Sequence, residues 1–415
     1  MSGLVPLSSS EVTVAFQGPL VITASTGYTA VEVIQAPEQA SSVTNHIARR
    51  VGRDVQERID ALGIGQKMQD LPEELWHKSF LFYVKEDPTR RGGPNLRLIR
   101  LDPAKPSLTV TAYIFNKFVH PFENRFITVR EAARLQGFPD ALHFEGTLTS
   151  TQLQVGNAVP IPLAQAVFQT ILNHAHAQRF PDRPLKAISM FSGAGGMDIG
   201  AELASIGNMR VETKVAAEYW TDACLTLSGH YKNRASVIPT DVSEIENPQK
   251  YWHELSNEAQ MPDIVFGGPP CQAFSQAGKQ KGLDDARGGM VFHFLRFVER
   301  LSPTFFVMEN VSNLKGTGGG RLYRNILDQM HNLGYDVTVC TLLAADFGTP
   351  QLRQRLFFIG SRLGRVESPT PTHSKEYRLF ETEPYLTVGE AFVGLPAAAF
   401  TAVRDNKTKS AYQTL

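Results

Sequence analysis

The sequence predicts an α/β fold: a doubly wound, mostly parallel sheet with helices on both faces, joined to a smaller domain. Three observations carry that expectation. From Ala187 onward, short apolar runs alternate with helix-patterned stretches at regular spacing, as in successive strand–helix–strand units. Several of these runs end in glycine, proline or a single acid, and strand ends are where an open α/β sheet collects ligands. Upstream the pattern is less regular, and Phe180-Pro181-Asp182-Arg183-Pro184 reads as a linker between the two regions.

Taken in order, residues 1–40 hold Val-, Thr- and Ser-rich runs broken by Gly and Pro, where short strands are expected and no chemistry is visible. Between Thr44 and Leu75 the pattern turns helical, with Ile47, Val51, Val55, Ile59 and Leu62 on one stripe and Gly63 as a stop. The basic cluster Arg90, Arg91, Arg97 and Arg100 suits a solvated loop or a phosphate-contacting one. Leu108–Phe115 reads as a β-branched strand. Thr128 and Glu131 make a capping box for a helix over Val129–Gln136, closed by Gly137-Phe138-Pro139-Asp140. A further apolar helix is expected from Ile161 to His174. Helical spacing turns His174 and His176 away from one another, so no metal pair is expected there.

The regular alternation then begins. Strands are expected at Ala187–Phe191, Val211–Ala217, Ser236–Pro239, Asp263–Phe266, Thr304–Met308, Val337–Leu343 and Leu356–Gly360. Helices are expected at Met197–Ile206, Trp220–Leu227, Val291–Leu301 and Arg321–Leu333.

Composition narrows the function classes. The chain has 415 residues, 42% hydrophobic and 20% charged, with 41 basic and 41 acidic side chains. A chain this long supports two to three domains. A net charge of zero gives no global field for a polyanion, so any nucleic-acid surface is local. Three cysteines, Cys224, Cys271 and Cys340, have no paired spacing, which argues against a disulfide framework or a zinc site. No signal pattern is visible and no apolar run reaches the ~18 residues of a membrane span. A cytoplasmic location without membrane attachment is expected.

Two constellations carry chemistry. Phe191-Ser192-Gly193-Ala194-Gly195-Gly196 falls between a strand and a helix, where glycines let backbone approach a ligand. Glu218 ends the next strand, suited to ribose hydroxyls, with Tyr219 beside it to stack on a base. Asp241 ends the strand after that and suits an exocyclic amine. Together they indicate a nucleoside cofactor, with NAD and S-adenosylmethionine both open at this point. The second constellation starts at Asp263-Ile264-Val265-Phe266-Gly267-Gly268-Pro269-Pro270-Cys271, where the prolines force a turn and present a thiol at a strand end. A small buried cysteine is the bland alternative. Glu309-Asn310-Val311 brings a carboxylate to the same edge, and Gln351, Arg353 and Arg355 alternate onto one face. Any one of these suits a surface ion pair. Their convergence marks a site.

These pieces, with Arg130-Glu131-Ala132-Ala133-Arg134-Leu135-Gln136-Gly137-Phe138-Pro139-Asp140 and Gly156-Asn157-Ala158-Val159-Pro160, resemble the cytosine-C5 DNA methyltransferase family. The order differs from most members: the last two motifs precede the cofactor loop, so the chain resembles a circularly permuted member. The tail Ala411-Tyr412-Gln413-Thr414-Leu415 resembles the segment that usually leads into Val43-Thr44-Asn45-His46. The resemblance implies a sheet of the S-adenosylmethionine-dependent methyltransferase type and a target-recognition domain. It divides the chain into an N-terminal extension (1–40), a recognition region (41–125) and a permuted motif segment (126–180). A catalytic domain (181–365) and a C-terminal segment (366–415) leading towards the small domain complete it.

The resemblance also implies roles. Cys271 is the nucleophile, Glu309 the acid at the base, and Arg353 and Arg355 hold its O2. Phe191, Ser192, Gly193, Gly195, Glu218, Tyr219, Asp241, Val242, Pro269, Asn157 and Val159 bind S-adenosylmethionine. Gln272, Ser275 and Arg287, on a Gly- and Lys-rich flap, contact double-stranded DNA, while Arg130 and Arg134 brace the small domain. Arg90, Arg91, Arg97 and Lys117 are candidate base readers. No metal is implied. A monomer is expected, with a restriction endonuclease of the same target as a functional counterpart. The alternatives are a tRNA cytosine-C5 methyltransferase, a catalytically inactive DNA-binding regulator on the same fold, and an NAD-dependent oxidoreductase. The last leaves Cys271, Glu309 and the arginines unexplained, and the inactive regulator has no need of a nucleophile.

Overall fold

The computed structural model describes residues 43–81, 98–112, 117–270 and 289–401. Its centre is a sheet whose strands, in chain order, are β1 (Leu185–Met190), β2 (Met209–Glu218), β3 (Ser236–Pro239), β4 (Ile264–Gly267), β5 (Phe305–Asn310), β6 (Asp336–Leu343) and β7 (Gln354–Ser361). Across the sheet they run β6-β7-β5-β4-β1-β2-β3, and a short strand, Ser205–Ile206, pairs with β2. The strands β5, β4, β1, β2 and β3 are parallel, whereas β7 runs antiparallel to both β5 and β6. The expected sheet is therefore present, mostly parallel, with its antiparallel strand near one edge.

Both faces of the sheet are covered, which is why its strands read as near-continuous apolar runs. Successive residues point to opposite faces: Phe305 and Val307 join one core, Phe306 and Met308 the other. The first core is closed by α1 (Ile161–Ala177) and α2 (Gly196–Leu203), the second by α3 (Met290–Leu301) and α4 (Arg321–Asn332). At Gly200 a Cβ would come within 2.5 Å of the Ala164 side chain, so glycine sets how closely α2 approaches α1. The stretch Leu148–Ala177 is long and apolar enough to cross a membrane by length and composition, contrary to the expectation that no run reaches that length. Its most apolar window is 72% buried against the sheet and its neighbours.

A third core joins the segment 99–161 to Ala194 and Ile199 of the cofactor-loop region and to Val388 and Ala391 near the C-terminus. The capping box forms: Thr128 Oγ1 accepts from the Glu131 amide, and Glu131 Oε2 from the Thr128 amide. Arg130 and Arg134 are buried braces. Arg130 donates to the carbonyls of Thr44, Pro139 and Leu142, and Arg134 to Asp140 and to the carbonyls of Ala391 and Val393.

Several sequence expectations need correction. The helical stripe expected from Ile47 to a stop at Gly63 forms an α-helix only at Arg53–Ala61, because Ile47–Ala48 pairs as a strand with the distant Ala399–Phe400, and short 3-10 turns follow at Met68–Asp70 and Glu73–Leu75. Leu108–Phe115 contributes only the short strand Ser107–Leu108, whose partner is Gln351–Leu352, while residues 113–116 lie outside the described set. The helix expected at Met197–Ile206 stops at Leu203, since Ser205–Ile206 turns back along β2. Arg100 belongs to no solvated or phosphate-contacting loop. It is buried, donating to the carbonyls of Ile59, Leu62, His120 and Glu123 and to Asn124 Oδ1.

Candidate active site

A cavity of about 810 Å³ opens at the carboxyl ends of β1, β2, β3, β4 and β5. On one side the chain leaves β1 through Phe191, Gly193 and Gly195, all with positive φ (56°, 55° and 81°), and enters α2 at Gly196. Glycine carries two of these three left-handed positions at little cost, and the resulting curl leaves the first amides of α2 facing the cavity. Gly196 is also needed for packing: a Cβ there would lie 2.3 Å from the Val159 carbonyl oxygen. Asn157 and Val159 thus line the same cavity as the Gly loop although they precede it in the chain.

Glu218 ends β2 and grips the loop. Its Oε2 accepts from the Gly193 amide (2.7 Å) and its Oε1 from the Trp220 amide (2.8 Å). Tyr219, 75% exposed, presents its ring at the mouth. Asp241 follows β3, with Oδ1 accepting from the amide and hydroxyl of Ser243, which hold its carboxyl below the usual range. Val242 and Pro269 complete this side.

On the opposite side, β4 and β5 lie in parallel register, Met308 opposite Gly267, so Glu309 emerges beside Gly268. A Cβ on Gly268 would come within 2.9 Å of Glu309 Oε2. Asn310 donates through Nδ2 to the Pro269 carbonyl (3.1 Å), fixing the turn that leads into Cys271. Cys271, Gln272, Ser275 and Arg287 lie outside the described residues. Glu309 Oε1 accepts from Arg355 Nε at 2.7 Å. Burial raises the Glu309 carboxyl above its ordinary value, opposed by the guanidiniums of Arg355 and Arg353.

The two arginines differ. Arg355 faces Glu309 directly. Arg353 is buried, its terminal nitrogens donating to the carbonyls of Val110 and Gly156 and its Nε unpartnered. Burial pulls its pKa down to about 9. Gln351 works alongside: it accepts from the Val110 amide (2.7 Å) and donates to the Leu135 carbonyl and Gln136 Oε1. The alternating residues thus staple residues 107–112 and the end of the helix Leu148–Asn157 to the sheet, and Thr109, Thr111 and Ala112 become a wall of the cavity. Sequence reasoning missed this wall. The period-two alternation of Leu108-Thr109-Val110-Thr111 was its signal, but nothing local names Gln351–Arg353 as the partner.

Other missed residues are Asn310, Trp220, Thr240 and the fully buried Asp198. Lys117 is turned away from base reading: its ammonium donates to the Thr109 carbonyl (2.7 Å), lies over the Phe118 ring, and is pulled down in pKa by burial. Arg90, Arg91 and Arg97 lie outside the described residues. His174 bonds through Nε2 to the Leu363 carbonyl, and no metal-holding cluster occurs among the described residues.

The model of the family described as C-5 cytosine-specific DNA methylase matches residues 36–173 and 185–413. The chain belongs to this family. The family is that of DNA cytosine-C5 methyltransferases, whose methyl donor is S-adenosylmethionine. The chain's relatives include the type II methyltransferase M.AquIA of Picosynechococcus sp., 39% identical over 229 residues, covering 51% of this chain and 90% of that one. M.FnuDI of Fusobacterium nucleatum is 34% identical, covering 46% and 52%, and M1.HphI of Haemophilus parahaemolyticus is 35% identical, covering 51% and 53%. The chain thus spans most of M.AquIA and about half the length of the other two relatives.

The cavity fits the donor. Its volume suits a nucleoside with an amino-acid arm, the left-handed Gly193 has open space where a Cβ would stand, and Glu218, Asp241 and the Tyr219 ring line its cofactor side.

Proposed function

We propose that the chain methylates C5 of a cytosine rotated out of double-stranded DNA, by way of a covalent bond between Cys271 and C6. The observation that carries the proposal is Glu309, held beside the Gly268–Pro270 turn and paired with Arg355 across the cavity from the Gly loop. Cytosine C5 is too poor a nucleophile to take a methyl group unaided. Addition of the Cys271 thiolate to C6 makes C5 enamine-like and divides one hard step into two. Negative charge moving towards N3 and O2 must be met. Glu309, whose carboxyl burial raises above its ordinary value, is assigned to donate a proton to N3 and accept from the N4 amine. Arg355 stabilises O2, while Arg353 acts through the wall it holds. S-adenosylmethionine supplies the electrophilic methyl group. Loss of the C5 proton and departure of Cys271 restore the ring.

Within the other half, Glu218 is assigned the ribose hydroxyls, Tyr219 the adenine face and Asp241 its amine, with Phe191, Ser192, Gly193, Gly195, Val242, Pro269, Asn157 and Val159 shaping the pocket. The target base has to leave the duplex stack to reach the cavity, and Gln272, Ser275 and Arg287 are assigned to the DNA. Residues 41–125 and 366–415 are assigned to the recognition side, 126–180 completes both that side and the cofactor pocket, and 181–365 is the catalytic domain. Circular permutation is supported by motif order and by the meeting of the two ends of the described chain, where the Thr401 amide donates to the Ala48 carbonyl at 3.0 Å. Permutation is tolerated where original termini lie close together. By analogy with type II relatives, we assign the enzyme to protection of DNA from an endonuclease of the same target, acting as a cytoplasmic monomer.

The test is incubation with duplex DNA containing 5-fluorocytosine and S-adenosylmethionine, read by denaturing gel and mass spectrometry. Fluorine does not leave as a proton does, so the active enzyme is expected to remain bound, methylated, through Cys271, and Cys271→Ser to form no adduct. DNA binding without an adduct would replace the proposal with the inactive regulator. An adduct with structured RNA alone would replace it with the tRNA enzyme.

A further inference from the structure

Beneath the Gly loop lies a buried acid that the mechanism above does not use. Asp198, in the first turn of α2, is wholly inaccessible yet borders the cofactor cavity. Its Oδ1 accepts from the Tyr231 hydroxyl at 2.8 Å. Its Oδ2 is buried without a well-formed hydrogen bond. The Ser189 hydroxyl is close enough to favour the charged form of the acid, Ser189 Oγ is 2.8 Å from Ser192 Oγ, and both serines line the cavity. A carboxyl and two hydroxyls are therefore neighbours at one wall of the cavity.

A hydroxyl has one proton to donate and two lone pairs to accept with, so a chain of hydroxyls has a direction. With Asp198 ionised, Ser189 donates to the carboxylate and Ser192 to Ser189, which turns the lone pairs of Ser192 to the cavity. With Asp198 protonated, every donor reverses and Ser192 points its O–H into the cavity instead. The first arrangement receives a cation such as a primary ammonium; the second opposes it. We propose that Asp198 is a positioning residue for the methyl donor, setting through Ser189 and Ser192 the polarity with which the loop meets the donor's amino-acid arm. This rests on the reading of the Gly loop as the donor site.

The relay is poised to respond to pH. Burial raises the Asp198 carboxyl to about 6. The groups facing it are Ser189 from β1, Tyr231 and His230 from the helix Thr221–Tyr231, and Glu202 from α2, where His230 Nε2 lies 3.0 Å from Glu202 Oε2. Because ligand and proton are linked reciprocally, a ligand that prefers ionised Asp198 expels its proton on binding.

The experiment is calorimetric titration of the full chain with S-adenosylhomocysteine from pH 5 to pH 7, in two buffers of different ionisation enthalpy. The expected result is a Kd about tenfold weaker at pH 5 than at pH 7, with proton release near pH 6. In Asp198→Asn, a neutral mimic of the protonated acid, both the pH dependence and the proton release should vanish, leaving the weaker Kd at every pH. Ser189→Ala, which breaks the relay but keeps the acid, should also flatten the profile; it serves as the test if Asp198→Asn fails to fold in a thermal melt. Wild-type pH dependence persisting in either folded variant would overturn the proposal. A wild-type chain that binds no S-adenosylhomocysteine at any pH would instead remove the donor-site reading beneath it.

Discussion

The two sides of the cavity are built differently. On the cofactor side three of the functional groups belong each to its own strand–turn unit: the Gly loop after β1, Glu218 after β2, Asp241 after β3. Their mutual contacts are short in sequence, as in the Gly193 amide donating to Glu218. On the reaction side nothing is local. Glu309 meets Arg355, and Arg353 ties down Val110 and Gly156, carbonyls separated from it by 243 and 197 positions. The comparison teaches that the cofactor side depends on repeated local geometry, whereas the reaction side depends on a few buried, long-range polar ties.

The comparison can be broken most forcefully at Glu309. Glu309→Gln should lower kcat for DNA methylation by ~10²- to 10⁴-fold while leaving the Kd for S-adenosylhomocysteine nearly unchanged. Equal losses in both would show that the two sides are not separable. Next in size is Arg353→Ala, which strips donors from two carbonyls and opens a cavity. Urea unfolding should report a loss of about 3 kcal/mol, with stability unaffected marking the ties as incidental.

Gly196→Ala sharpens the comparison where the sides touch. The new methyl group collides with the Val159 carbonyl, so a stability loss of roughly 1–3 kcal/mol and weaker donor binding should appear together. Glu218→Gln should be milder, raising the donor Kd about tenfold, or ~1.4 kcal/mol, with kcat at saturating donor retained. A fall in kcat of the same size would give Glu218 a role in the reaction.

The smallest effect concerns pH. Glu309 must carry its proton, so activity should fall as pH rises through its elevated pKa. Arg355 lowers that pKa, so Arg355→Met should move the alkaline limb of kcat/KM upwards. A limb that stays put would assign it to another group.

The same contrast explains what was legible. The Thr128–Glu131 box, the strand ends at Glu218 and Asp241, and the glycine turns are written in adjacent residues, because caps, alternation and positive φ are satisfied locally. The spacing from Ile47 to Leu62 fits a helix, and Val55 and Ile59 lie in one, yet Ala399–Phe400 captures Ile47–Ala48 as a strand. Arg100 and Lys117 look like nucleic-acid contacts in sequence; burial turns both to backbone carbonyls.

By itself, then, the sequence determined the alternating sheet, the family and the inventory of reactive groups, since each follows from patterns a few residues long. Tertiary structure alone decided that Arg353 bonds to the carbonyls of Val110 and Gly156. It also made Thr109 and Thr111 a wall and put Asp198 beneath the loop with Tyr231. The physical reason is that a buried polar group must find a partner, and the chain supplies that partner from wherever folding brings a carbonyl or hydroxyl into reach.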